Sequence, residues 1–79
     1  MDEYQTEESK LVHEFQKNSQ EVVRAYLKTY RGTRLIDIRV YFDAGMEHKP
    51  TRKGLAVSAA LLPEHERTIE KLREAMMAH

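Results

Sequence analysis

No cysteine occurs among the 79 residues, which removes disulfide frameworks, thiolate metal sites and thiol nucleophiles from consideration. No apolar run approaches the roughly 18 residues of a membrane span, and the acidic start Met1-Asp-Glu is unlike a signal peptide. A soluble chain of cytoplasmic localisation, with no membrane partner, is expected. A glycine-rich phosphate loop is missing as well, since Lys53-Gly54 lacks the preceding glycine and the following hydroxyl. The four histidines, His13, His48, His65 and His79, share no ligand spacing. Asp43, Glu47 and His48 could converge on a cation, but a solvated turn is the simpler reading. Ser58 and His65 lack an elbow motif and an orienting acid. Neither an enzyme nor a cofactor or metal site is expected.

Net charge is also absent: 13 cations meet 13 anions. The distribution is uneven, however. Residues 1–21 carry a balance of −4, residues 22–54 of +5 and residues 55–79 of −1. A basic middle lies between acidic ends, and the field over a surface follows that local pattern. The length allows one domain, and a chain this short buries only about 60% of its unfolded surface, so self-association is a common remedy.

What is present is β alternation. Residues 1–10 are polar without periodicity and read as a mobile acidic arm, with a folded domain over 11–79. Leu11 to Phe15 fits an edge strand or a helical turn, and Asn18-Ser19-Gln20 a turn. From Val22 to Tyr30, Val23, Ala25 and Leu27 share one face, with Arg24, Tyr26, Lys28 and Tyr30 on the other. Arg31-Gly32 supplies a two-residue hairpin loop. The next strand, Arg34 to Phe42, places Ile36, Ile38 and Val40 on the apolar face, expected to be buried, and Asp37, Arg39 and Tyr41 opposite. A two-residue loop makes every apolar residue meet an apolar one, because a one-residue slip would flip every side chain. It also sets Arg24 against Arg39, an unfavourable pairing unless an anion sits between them.

A turn centred on Gly45 follows. A third strand is expected over His48–Arg52, with Pro50 at an edge or bulge. Gly54 permits a bend into a short fourth strand, Leu55–Ser58. The chain ends in a helix starting near Pro63, with Leu62 at the cap position. Leu62, Ile69, Leu72 and Met76 recur at helical spacing as an apolar stripe, the expected dimer contact. The basic-aromatic face of the sheet has two readings. It is an ordinary solvated side, or it is a surface on which cations track a phosphate backbone and rings stack on unpaired bases.

Leu35-Ile-Asp-Ile-Arg-Val-Tyr-Phe42, Lys49-Pro-Thr-Arg-Lys-Gly54 and Pro63-Glu64 ahead of a terminal helix resemble the transcriptional positive cofactor 4 family of coactivators, especially its short bacterial members. The similarity spans about residues 15–78, and Lys17-Asn-Ser19 also looks like the bacterial form. The resemblance implies an α+β fold: a strongly curved four-stranded antiparallel sheet followed by a C-terminal helix, in a homodimer formed largely through the helices. It further implies single-stranded DNA as the ligand, bound with little sequence preference. Arg39 matches the family's DNA-contacting arginine and Lys53 the lysine before the glycine. Tyr30 stands where the family has an aromatic, Phe42 where a tryptophan can occur, and Lys17 near the lysine that starts the first strand. Two departures stand out: alternation puts Phe42 on the buried face, and Leu62 replaces a polar helix cap.

Taken together, the expected nucleic-acid contacts are Lys17, Arg24, Tyr26, Lys28, Tyr30, Arg39, Tyr41, Phe42, Lys49, Arg52 and Lys53. The expected role is non-enzymatic DNA binding in transcription, repair or strand protection, with transcription or replication machinery as further partners. The alternatives are single-stranded RNA binding and a module whose basic face docks an acidic partner.

Overall fold

The computed structural model describes residues 6–78. Four strands, β1 (Thr6–Gln16), β2 (Glu21–Tyr30), β3 (Thr33–Asp43) and β4 (His48–Ser58), form one antiparallel sheet in chain order. A 3-10 turn (Ala59–Leu61) leads into helix α1 (Leu62–Met77). The sheet is open, with β1 and β4 as its edges.

The central hairpin has the expected register: Leu27 faces Ile36, Ala25 faces Ile38 and Val23 faces Val40. Arg31 and Gly32 both take positive φ, 51° and 79°, the conformation a two-residue hairpin loop needs to match strand twist. Three expectations are corrected at the ends. Residues 6–10, read as part of an arm, continue β1 along β2 as far as Thr6 opposite Tyr30; residues 1–5 lie outside the described residues. The segments 48–52 and 55–58, read as two strands, are one strand. A register shift opposite Arg39–Tyr41 absorbs the irregularity that Pro50 and Gly54 announce. The helix cap is Leu61 rather than Leu62, again without a side-chain hydrogen bond, and Pro63 follows in the first turn.

Burial is the larger correction. The described residues buried in this single chain are Val22, Asp37 and Tyr41, all on the face that sequence alternation assigns to solvent. The apolar side lies open, with Ile38 42% and Leu55 48% exposed. The reason is the helix. It does not fold back over the sheet, and none of its residues is buried. Leu62, Ile69, Leu72 and Met76 all remain exposed.

Candidate nucleic-acid interface

Antiparallel pairing of β2 with β3 places Arg24, Tyr26, Lys28 and Tyr30 beside Arg39, Asp37, Leu35 and Thr33 on one side of the sheet. On this side runs a groove of about 780 Å³ whose cations are Lys28, Arg39 and Arg52. Its ring is Tyr30, its apolar lining Leu35, Pro50 and Ala56, and its carboxylate Asp37. Buried Asp37 organises the cations: Lys28 Nζ lies 3.4 Å from Oδ2, and Arg39 Nε donates to Oδ1 at 3.1 Å. Arg39 Nη1 also donates to the Thr51 carbonyl at 3.1 Å. The guanidinium is thus fixed from two sides while its cationic charge still borders the groove.

The same residues fasten the irregular part of β4. The Thr51 hydroxyl donates to the Val40 carbonyl at 2.8 Å and accepts the Lys53 N–H at 3.1 Å. Gly54 then passes so close to β3 that a Cβ there would lie 2.4 Å from the Ile38 carbonyl oxygen and 2.7 Å from Arg39 Cα. Glycine is required at this point by contact with backbone, and the contact sets the distance between Arg39 and β4.

A second cluster adjoins the groove. Arg24 and Arg39 are opposite one another, as the register predicts, yet the anion beside Arg24 comes from the protein. Arg24 Nε lies 2.6 Å from Glu14 Oε1 on β1. Arg24 Nη1 donates to the Tyr26 hydroxyl at 3.4 Å, and the guanidinium carbon sits 4.9 Å from the Tyr41 ring centre. The hydrogen bond to Glu14 holds the guanidinium even more firmly protonated than usual. Tyr41 is 9% exposed, and its ring lies 5.9 Å from that of Tyr26. Burial, and then the neighbouring Tyr26 and Asp37, push its hydroxyl pKa up. Tyr41 therefore offers little surface to a base in this arrangement. The Tyr26 ring has Lys28 Nζ 5.5 Å from its centre.

The remaining expected contacts gather elsewhere. Phe42 pairs with Glu21 on one side and Lys49 on the other, so register puts all three on the side of Val23 and Val40. The Glu21 carboxylate accepts from Lys17 Nζ at 2.9 Å and from Asn18 Nδ2 at 2.8 Å. These bonds, with the nearby charge of Lys53, hold the Glu21 carboxyl below the usual carboxylate range. Lys28, Tyr30, Arg39 and Arg52 thus share the groove, Arg24, Tyr26 and Tyr41 form the cluster beside it, and Lys17, Phe42 and Lys49 lie at the Glu21 end of the sheet. Lys53 is exposed on β4 outside the groove lining, its charge felt at Glu21. Asp43, for its part, accepts the Gly45 N–H at 2.9 Å in the turn.

Two carboxylates central to this surface, Glu14 and Asp37, are not among the expected contacts, although alternation places Asp37 on this face beside Arg39 and Tyr41. Asp37 carried a signal: aspartate is depleted in strand interiors, and here it sits two residues from an arginine on the same face. Glu14 carried none, because its side depends on a register shift in β1 between Leu11 and His13.

Residues 17–64 match the family model of the Transcriptional Coactivator p15 (PC4). No curated protein and no solved structure matches closely enough to count as similar. The matched segment contains β2, β3 and β4 entire, together with every residue lining the groove. It covers more than half of the chain. The chain therefore belongs to the Transcriptional Coactivator p15 (PC4) family of DNA-binding coactivator domains.

Proposed function

We infer that this protein is a non-enzymatic, largely sequence-independent single-stranded DNA-binding protein that acts as a homodimer in the cytoplasm. The observation that carries the reading is the groove, where Lys28, Arg39 and Arg52 surround Tyr30 and an apolar lining while Asp37 offsets only one of the three charges. Cations neutralise phosphates without reading sequence, and a ring beside aliphatic surface accepts an unpaired base through its face. No residue in this arrangement requires one base over another. A duplex hides its base faces, so the groove favours separated strands. Dimerisation supplies what one chain lacks, a cover for the open apolar side of the sheet and for the helix stripe.

Fluorescence anisotropy with a labelled oligonucleotide tests the reading, in parallel with the matching duplex and an RNA of the same sequence. Single-stranded DNA is expected to bind best, with log affinity falling against log salt by about 0.7 per phosphate contacted. Salt-insensitive binding, or preference for duplex, would overturn it. Preference for RNA would keep the surface and change the ligand.

A further inference from the structure

We propose that Glu14 is an intramolecular stand-in for a phosphate, occupying Arg24 and limiting how much of a single strand the sheet can hold. The proposal rests on the single-stranded DNA reading and goes beyond it by naming a residue that sets the extent of the site.

The bulge in β1 is the first observation. Ahead of it, Glu8 pairs with Thr29 and Lys10 with Leu27; behind it, His13 pairs with Ala25 and Glu14 with Arg24. Were Val12 paired in a regular ladder instead of bulged, Glu14 would continue the first register and fall opposite Val23, on the apolar side. The bulge moves it to the functional face, and re-aiming one side chain is what bulges commonly do. Phe15 is carried the other way, opposite Val23.

The second observation is where Glu14 lands. Arg24 and Arg39 are cross-strand partners, and two cations so placed repel unless an anion lies nearby. Arg39 has Asp37, which is buried. Among the described residues, Arg24 has Glu14 as its carboxylate partner, whose side chain is 41% exposed. An exposed ion pair of this kind is weak, being screened by solvent and salt, so a phosphate can displace it, although in competition. The pair also keeps the Arg24 guanidinium over the Tyr41 ring and against the Tyr26 hydroxyl. This closes the half of the face next to β1, while the half next to β4 stays open as the groove. A strand lying in the groove therefore meets an occupied cation where its next phosphate would fall.

Glu14→Gln removes the charge and keeps the shape. Titrated with labelled oligothymidylates of increasing length, this variant is expected to bind more tightly than the wild type. Its log–log salt slope should be steeper by about 0.7, one further phosphate, so that its advantage grows about 2.6-fold between 200 and 50 mM salt. The length at which affinity levels off should rise by about one nucleotide. Glu8→Gln, with the same charge change on the same strand but opposite Thr29, controls for net charge and should leave the slope unaltered. Adding Arg24→Ala to Glu14→Gln should cancel the gain. An unchanged slope in folded Glu14→Gln overturns the proposal, as does an equal gain from Glu8→Gln or a gain that survives loss of Arg24. The wild-type titration separates the two levels: binding by the wild type with no response to Glu14→Gln sinks this inference alone, whereas no binding by either protein removes the single-stranded DNA reading with it.

Discussion

At the scale of single residues, the groove depends on two kinds of constraint, electrostatic and steric. Arg39 is held by Asp37 and by the Thr51 carbonyl, so on the proposed reading it would meet a phosphate already ordered and lose little side-chain entropy on binding. Arg39→Ala is expected to weaken oligonucleotide binding and lower the salt slope by about 0.7, with circular dichroism unchanged. Full affinity in the folded variant would remove Arg39 from the site. Tyr30→Ala should cost about 1–3 kcal/mol of binding through lost stacking, and Tyr30→Phe almost nothing; an equal loss in both would transfer the role to the hydroxyl. The steric constraint is Gly54. A methyl group there meets the Ile38 carbonyl oxygen and Arg39 Cα, both backbone, so relief requires the strands to part. Gly54→Ala should lower stability in urea by about 1–3 kcal/mol, the usual range for overpacking, with hydrogen exchange accelerated along β3 and β4. At Gly32, with φ +79° but open space around it, only the left-handed backbone conformation opposes alanine, at about 1–2 kcal/mol. Wild-type exchange rates in Gly54→Ala would show that this approach is not a constraint.

At the scale of elements, the β2–β3 hairpin was legible because two independent signals agreed. Arg31-Gly32 suited a two-residue loop, and that loop brought Val23, Ala25 and Leu27 opposite apolar partners, which a three-residue loop would not. The helix was legible from its spacing and from Pro63, its cap misplaced by one residue. β1 was legible only in part: Leu11 to Phe15 fitted an edge strand or a helical turn, but the polar run Thr6-Glu-Glu-Ser-Lys10 carries no alternation and the bulge has no sequence mark. β4 was misread because Pro50 and Gly54 punctuate it like a loop, whereas Thr51 bridges the irregularity with side-chain hydrogen bonds. The faces of the site followed from alternation, but Asp37 and Glu14 are carboxylates within a basic surface, and charge counting treats them as subtraction. The β1–β2 connection yields a pH prediction. Lys17 and Asn18 hold the Glu21 carboxyl low in the folded state, so the folded protein takes up this proton later than the unfolded chain does. The resulting stabilisation is complete above the ordinary carboxylate range and disappears as pH falls through the lowered folded value. The stability difference between wild type and Glu21→Gln should therefore shrink on acidification. A difference constant across the acid range would mean that Glu21 titrates alike in both states.

At the scale of the whole molecule, the single chain does not satisfy the requirements of a domain. Its radius of gyration is 14.6 Å, against about 12 Å for a compact globule of this length. No side chain among the described residues is fully buried, and the helix stands clear of the sheet. Leu55, Ile69 and Leu72 are each about half exposed. Burial of such side chains supplies about 1.5–3 kcal/mol each, and a chain that leaves them in water loses most of its source of stability. A second copy presents the same surfaces and can cover both at once. Because a dimer gains stability by mass action, the melting temperature of the wild type should rise with protein concentration, and sedimentation should give twice the 9.3 kDa chain mass. Ile69→Glu with Leu72→Glu places two like charges on the helix stripe, and the double variant should sediment as a monomer. It should also melt lower, without concentration dependence and with reduced cooperativity. A wild-type chain that stays monomeric and cooperatively folded at micromolar concentration would mean that the open face is covered within the chain, by the helix moving onto the sheet. In that arrangement the helix stripe should be protected from hydrogen exchange at every dilution, whereas a dimer loses that protection as it dissociates.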